Sequence, residues 1–109
     1  MSNQKALAII NHAIDCNLTV LELNDLGLTE IPVEILQVPN LSWLCIEGNK
    51  ITEIPSFVTQ INSLEFINLN LNPISHIPNF IGDMPKLLKV GLYGTKVKKT
   101  PNCGVKFNF

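Results

Sequence analysis

Apolar residues recur along this chain in an order that repeats every 23 residues. Four segments show it; they begin at Leu18, Leu41, Leu64 and Leu87 and read LTVLELNDLGLTEIP, LSWLCIEGNKITEIP, LEFINLNLNPISHIP and LLKVGLYGTKVKKTP. A unit of this length cannot bury its own apolar side, so neighbouring units must stack on one another. The pattern predicts one domain over residues 1–109, with four repeats in residues 18–101.

Each repeat opens with an alternation of apolar and other residues. In the second repeat Leu44 and Ile46 are predicted to point inward, whereas Trp43 and Cys45 are predicted to point outward. Alternation over a few residues is typical of a β-strand. The chain is therefore predicted to form four short strands, starting near residues 19, 42, 65 and 88. They should pair in parallel, because each repeat begins one strand spacing from the last.

An Ile-Pro step follows the strand in the first three repeats, at Pro32, Pro55 and Pro78. Proline at the first position of a helix loses no needed donor and has its φ already set, so each step predicts a short helical turn. The apolar residues three and six positions later are predicted to point inward; they are Ile35, Val58 and Ile81, then Val38, Ile61 and Met84. In the fourth repeat Gly104 takes the first of these positions, so no helical turn is predicted there.

The two ends of the repeat array are predicted to be capped. Ser2 can cap a helix over residues 3–15, whose apolar face carries Ala6, Leu7, Ile10 and Ile14. Residues 1–17 are thus predicted to be an N-terminal cap. Residues 102–109 are predicted to be a C-terminal cap, in which Val105, Phe107 and Phe109 alternate like a strand and bury two aromatic rings.

One polar position recurs after the strands, and it is asparagine in the two central repeats. Asn49 and Asn72 can turn their amides inward and bond the backbone of adjoining turns. Leu26 and Thr95 occupy the position in the terminal repeats, where a hydroxyl can replace only part of the bonding of an amide.

The pattern LxxLxLxxNxLxxIPxxI, present here as LSWLCIEGNKITEIPSFV and LEFINLNLNPISHIPNFI, resembles the leucine-rich repeat family. The opening INHAIDCNLTVLELNDLGLTEIP is similar to the entry segment of bacterial proteins of this family, including the Roco type. The resemblance implies an α/β solenoid, with four parallel strands on a concave side, short helical turns on the convex side and a capping helix before them. In the family, the concave side usually contacts a protein partner. No phosphate-binding loop of the G-x-x-x-x-G-K-S/T kind is present.

The concave side is predicted to carry an apolar and aromatic stripe, formed by Val20, Trp43 and Phe66 with Lys89 at its end. Polar residues should border it, as they border aromatic anchors in many interfaces. The predicted partner-binding residues are Val20, Glu22, Trp43, Glu47, Phe66, Asn68, Asn70 and Tyr93, with Cys45 and Gly91 exposed in the same rows. The alternative is that Trp43 and Phe66 only cover each other or pack under a loop. Leu71 and Leu88 are predicted to be exposed beside the stripe.

Charge narrows the class of partner. All eight basic residues are lysine, and residues 84–109 hold six of them and no acid. Without arginine the bidentate contacts typical of nucleic-acid recognition are missing, so no nucleic acid is expected. Glu22, Asp25, Glu47 and Glu65 favour a basic segment of a partner protein. No apolar run approaches the roughly 20 residues that span a bilayer, and we expect no membrane contact.

Catalytic chemistry is not expected, nor is a cofactor or metal. His12 is predicted to belong to the N-terminal helix and His76 to an outer turn three repeats away, so they cannot share a metal. Cys45 has Glu47 nearby and no histidine, which disfavours its thiolate. Cys16 and Cys103 are predicted to be buried apolar groups. Three cysteines without paired spacing fit a reducing compartment, so a cytoplasmic protein is expected, although the sequence leaves open export without a cleaved signal.

The sequence thus favours a monomeric, non-enzymatic module that binds an unidentified protein through its concave side. Two alternatives stay open. The chain could be a structural component that self-associates weakly through an end or the concave side. It could also be an accessory repeat subunit of a separate enzyme, such as one in a bacterial effector system.

Overall fold

A computed structural model describes residues 2–109, with side chains from Gln4 onward, and shows one α-helix and one five-stranded parallel sheet. The strands lie in the sheet in chain order. Their bounds are Val20–Glu22 (β1), Trp43–Cys45 (β2), Phe66–Asn68 (β3), Lys89–Gly91 (β4) and Lys106–Asn108 (β5). The first four begin one residue after the predicted starts, and all pair in parallel as predicted.

β5 adds a fifth strand to the four that the sequence predicted for the sheet. The Lys106 amide donates to the Leu88 carbonyl at 2.9 Å, and the Leu92 amide donates to the Asn108 carbonyl at 2.6 Å. The predicted burial of two aromatic rings in this segment is wrong for Phe109, which is 63% exposed, and holds in part for Phe107, which is half-buried and packs against the core. Val105 is buried within the core itself, and Cys103 also packs against it.

Three short helices follow the Ile-Pro steps, as predicted, and they are of the 3-10 type. They span Val33–Gln37, Ser56–Gln60 and Asn79–Asp83, and each begins directly after its proline. In the second of them the Val58 amide donates to the Pro55 carbonyl at 3.3 Å, which closes the first turn. The apolar residues predicted to point inward from these segments are all buried.

The α-helix, α1, spans Ser2–Asp15 and packs against β1 and the first 3-10 helix. Ala6, Ile10 and Ala13 form its buried face. The prediction that Leu7 belongs to this face is wrong, because Leu7 is 37% exposed, whereas Ala13, in the last turn of the helix, is buried. The predicted capping role of the Ser2 side chain lies outside the described side chains. The described helices include none long and apolar enough to cross a membrane.

Cys16 and Leu18 lie in the turn that joins α1 to β1, and both are exposed. Cys16 was predicted to be buried, and this prediction is wrong. The turn reverses the chain at Asn17, which has a φ of 54°, so the Cys16 thiol stays beside His12 on the open side of α1. Leu18 is 40% exposed, whereas Leu41 and Leu64, at the equivalent positions of the next two repeats, are fully buried.

Asn49 and Asn72 hold neighbouring repeats together from inside, as the sequence predicted. Asn49 Oδ1 accepts from the amides of Leu26 and Leu28 at 3.0 and 2.9 Å, and its Nδ2 donates to the Leu23 carbonyl at 2.9 Å. Thr95, at the equivalent position, donates its hydroxyl only to the Leu92 carbonyl of its own repeat, at 2.8 Å. The terminal repeat is therefore tied less firmly from within.

A corner position next to this asparagine has a left-handed backbone in all four repeats. The residues are Asp25, Gly48, Leu71 and Gly94, with φ between 57° and 72°. A methyl group added at Gly94 would come within 2.6 Å of Leu71 Cδ2, and one added at Gly48 would collide with the Asp25 carboxylate. Glycine at alternate repeats thus leaves room for the side chain of the repeat before it.

Candidate interaction surface

The strands place five residues in one line across an open side of the sheet. The register pairs Val20 with Trp43, Trp43 with Phe66 and Phe66 with Lys89, and β5 adds Lys106. We call these five residues the exposed row. Three apolar side chains therefore stand next to one another at strand spacing of about 4.8 Å, followed by two lysines.

The two aromatic rings of the exposed row are in contact. Their centroids are 4.8 Å apart and the planes are tilted by 50°, which is a favourable geometry for an aromatic pair. Trp43 nevertheless stays 48% exposed, whereas Phe66 is half-buried. Lys89 Nζ lies 5.9 Å from the centre of the Phe66 ring, which is a cation–π distance. The rings thus cover each other in part, and about half of the surface of Trp43 remains exposed.

The row beside it differs from the prediction. Glu22 is exposed and Asn68 is half-buried, but Cys45 and Gly91, which were predicted to be exposed, are buried. Cys45 is small and lies between the longer side chains of its neighbours in the sheet, Glu22 and Asn68. Gly91 is covered by the amides of Asn68 and Asn70: a methyl group there would lie 2.8 Å from Asn70 Oδ1.

The side-chain amides of Asn68 and Asn70 form hydrogen bonds within the chain. Asn68 Nδ2 donates to Glu47 Oε1 at 3.1 Å, and Asn68 Oδ1 accepts from the backbone N–H of Asn70 at 2.9 Å. Asn70 Oδ1 accepts from the Tyr93 amide at 2.9 Å, just as Asn24 Oδ1 accepts from the Glu47 amide at 2.8 Å. These asparagines link neighbouring repeats by hydrogen bonds on the outer side. Sequence reasoning assigned Asn68 and Asn70 to a partner and missed this role, although the recurrence of asparagine at positions 24 and 70 was a signal for it.

The polar residues left open to a partner are therefore fewer than predicted. Glu22 is exposed beside Val20, and Tyr93 is 63% exposed. Glu47 is half-buried and already accepts a hydrogen bond. Leu71 and Leu88 are exposed as predicted, at 49% and 64%. The open surface is consequently more apolar than the sequence suggested.

Burial raises the pKa of the Cys45 thiol, and the negative charges of Glu22 and Glu47 raise it further. The thiolate is the nucleophilic form, so this environment makes Cys45 unreactive at neutral pH. In the described part of the chain, no three His, Cys, Asp or Glu side chains stand close enough together to hold a metal ion.

We expect the thiols of Cys16 and Cys45 to differ sharply in their rates of alkylation. At pH 8, iodoacetamide should modify exposed Cys16 first and Cys45 at least tenfold more slowly, because Cys45 is buried and its pKa is raised. Peptide mass spectrometry over a time course measures both rates in one sample, and unfolding in urea should bring them together. Equal rates in the folded protein would contradict the placement of Cys45.

No protein-family model matches the chain, and no curated protein matches it either.

Proposed function

We propose that this chain is a leucine-rich repeat solenoid that binds a partner protein through the exposed row. The 23-residue pattern of the sequence and the one-strand-per-repeat parallel sheet support this assignment. The four repeats then form the body of the domain, residues 1–17 form its N-terminal cap, and residues 102–109, which contain β5, extend its sheet. The strand side would be the concave side of the array.

The observation that carries the proposal is the open half of Trp43. An indole that is 48% exposed, in line with 43%-exposed Val20 and in contact with Phe66, is apolar surface that a partner can cover. Burial of a tryptophan near the centre of an interface commonly contributes 2 kcal/mol or more to binding, by the usual alanine-substitution measure. The asparagines beside it are already bonded within the chain, so they would shape and stiffen this surface without anchoring the partner.

The charged residues around the exposed row favour one orientation of the bound segment. Glu22 is the last residue of the first strand and Glu65 directly precedes the third, and both are exposed, whereas Lys89 and Lys106 end the exposed row. A matching partner would place an apolar side chain on Trp43, a basic group towards Glu22 and an acidic group towards the lysines. Complementarity of this kind sets orientation and the rate of encounter more than affinity.

This proposal assigns no catalytic step, cofactor or metal to the chain. It places the protein in the cytoplasm, which suits three free thiols. The sequence alternative of an accessory subunit for a separate enzyme is a special case of the same proposal, in which that enzyme is the partner.

Trp43→Ala should weaken capture of the partner by about thirtyfold, which corresponds to roughly 2 kcal/mol, while the thermal midpoint changes little. Quantitative mass spectrometry of pull-downs with the wild type and with the variant measures the loss. Trp43 is the only tryptophan in the chain, so its fluorescence should also shift to the blue when the partner covers it. Phe109→Ala, at an aromatic residue outside the exposed row, is the matched control and should keep the partner.

Two results would contradict the site. If Trp43→Ala unfolds the protein, Trp43 belongs to the core. If it captures the same partner as well as the wild type does, the exposed row is not the binding surface.

A further inference from the structure

A second surface carries a graded charge along the repeats. The residue two positions before the proline of each Ile-Pro or Thr-Pro step is Glu30, Glu53, His76 and Lys99 in turn, and all four are exposed. We call these four residues the charged row. It runs from two acids through a histidine to a lysine, and it contains no residue of the exposed row.

The acidic half of the charged row borders a groove. Glu30 and Glu53 line a depression of about 310 Å³ together with Glu34. The apolar part of its lining consists of Ala6, Leu7, Ile31, Pro32, Val33, Pro55 and Phe57. Leu7 and Val33 are 37% and 52% exposed, so apolar surface stays open between the carboxylates. An occupant that suits this groove has an apolar stem and a positive head.

Lysine side chains have this form, and the far end of the same surface supplies them. Lys98 and Lys99 are neighbours and are both exposed. Lysine can lay its methylene stem along an apolar surface and keep its ammonium group at the rim. Lys98 and Lys99 of one copy can therefore fill the groove of another, with their charges against Glu30 and Glu34.

A row with opposite charges at its two ends is complementary to itself under a two-fold axis. If the axis passes between the second and third repeats, Glu30 faces Lys99 of the other copy and Glu53 faces His76 of the other copy. Each contact then occurs twice, which is the defining property of a symmetric dimer interface. A parallel arrangement would instead set like charges against each other.

We propose that two copies of this chain pair side by side and antiparallel through the charged row, with Lys98 and Lys99 of each copy seated in the groove of the other. The pairing is independent of the function assigned to the exposed row. It is weak, because exposed ion pairs contribute little each, and it depends on salt, because the Debye length falls from about 10 Å at 0.1 M to about 3 Å at 1 M.

Sedimentation across a concentration range tests the pairing. The wild type should form dimers at low salt, and its dimer dissociation constant should rise at least tenfold between 0.05 M and 1 M salt. Glu30→Lys with Glu53→Lys makes the whole row non-acidic, and His76→Glu with Lys99→Glu makes it wholly acidic. Each double variant should stay monomeric, whereas an equimolar mixture of the two should form a heterodimer.

Asp15→Lys with Asp83→Lys is the matched control, since it changes the net charge as much as the first double variant does and lies outside the charged row. This control should pair as the wild type does, and circular dichroism should show all variants folded. A wild type that stays monomeric at low salt up to millimolar concentration overturns the proposal. So does a mixture of the two double variants that stays monomeric, or a control that loses pairing as they do.

Discussion

Replacing Asn72 with alanine should lower the free energy of unfolding by about 3 kcal/mol. Asn72 is 1% exposed; its Oδ1 accepts from the Ile51 amide at 3.0 Å and its Nδ2 donates to the Ile46 carbonyl at 2.8 Å. Alanine would leave the Ile51 amide without this partner, would take the 3.2 Å donor from the Leu69 carbonyl, and would remove one of two donors from the Ile46 carbonyl, which Asn49 Nδ2 also contacts at 3.1 Å. A buried backbone group left unpaired costs about 1–3 kcal/mol. The thermal midpoint should fall by roughly 10–15 °C. Urea and thermal denaturation measure the two quantities.

Thr95→Ala is the matched control at the equivalent position of the fourth repeat. Thr95 makes one good bond, to the Leu92 carbonyl, and a weak one at 3.4 Å from the Val97 amide. The loss there should be about 1 kcal/mol or less. If Asn72→Ala costs no more than Thr95→Ala, the inner asparagines do not hold the repeats together.

Leu44→Ala should be at least as damaging, with an expected loss of about 3–4 kcal/mol in the free energy of unfolding. Leu44 is fully buried in the middle of β2 and is paired with Leu21 on one side and Ile67 on the other. A cavity there cannot be filled by its neighbours, because they are fixed by the strands. Since small domains have only about 5–15 kcal/mol of stability in total, a large share would be lost. Chemical denaturation measures it.

Trp43 precedes Leu44 and points to the other side of the sheet, so the pair tests the orientation of β2 directly. Trp43→Ala should cost under about 1.5 kcal/mol, because it removes the ring contact with Phe66 but opens no cavity. A slip of the strand by one residue would exchange the two effects. Such an exchange would contradict both the register and the surface proposed for binding.

Much of the fold could be predicted because two periodic patterns in the sequence determine it. The 23-residue recurrence and the alternation within each strand are enough to align Val20, Trp43 and Phe66, as the register shows. The Ile-Pro steps were enough to locate the three short helices. Each of these predictions depends on backbone rules and apolar burial, which are local or strictly periodic.

The details of the site could not be read from these periods. Alternation assigns a direction to Cys45 but does not say that longer neighbours will cover it. Equally, an outward asparagine such as Asn68 can bond a partner or its own chain, and the outcome depends on distances to Glu47 and Asn70 that only the structure provides. Phe109 shows the same limit at the edge of the sheet, where its ring stays exposed although the pattern points it inward.

The alternation of side chain and glycine at the left-handed corner has a consequence for how such an array could lengthen. Asp25 lies over Gly48 and Leu71 lies over Gly94, so neighbouring units are not interchangeable at this corner. Copying one unit would stack two side chains or leave two glycines in succession. Copying a pair would keep every side chain above a glycine. The smallest module whose duplication keeps this alternation is therefore a pair of units.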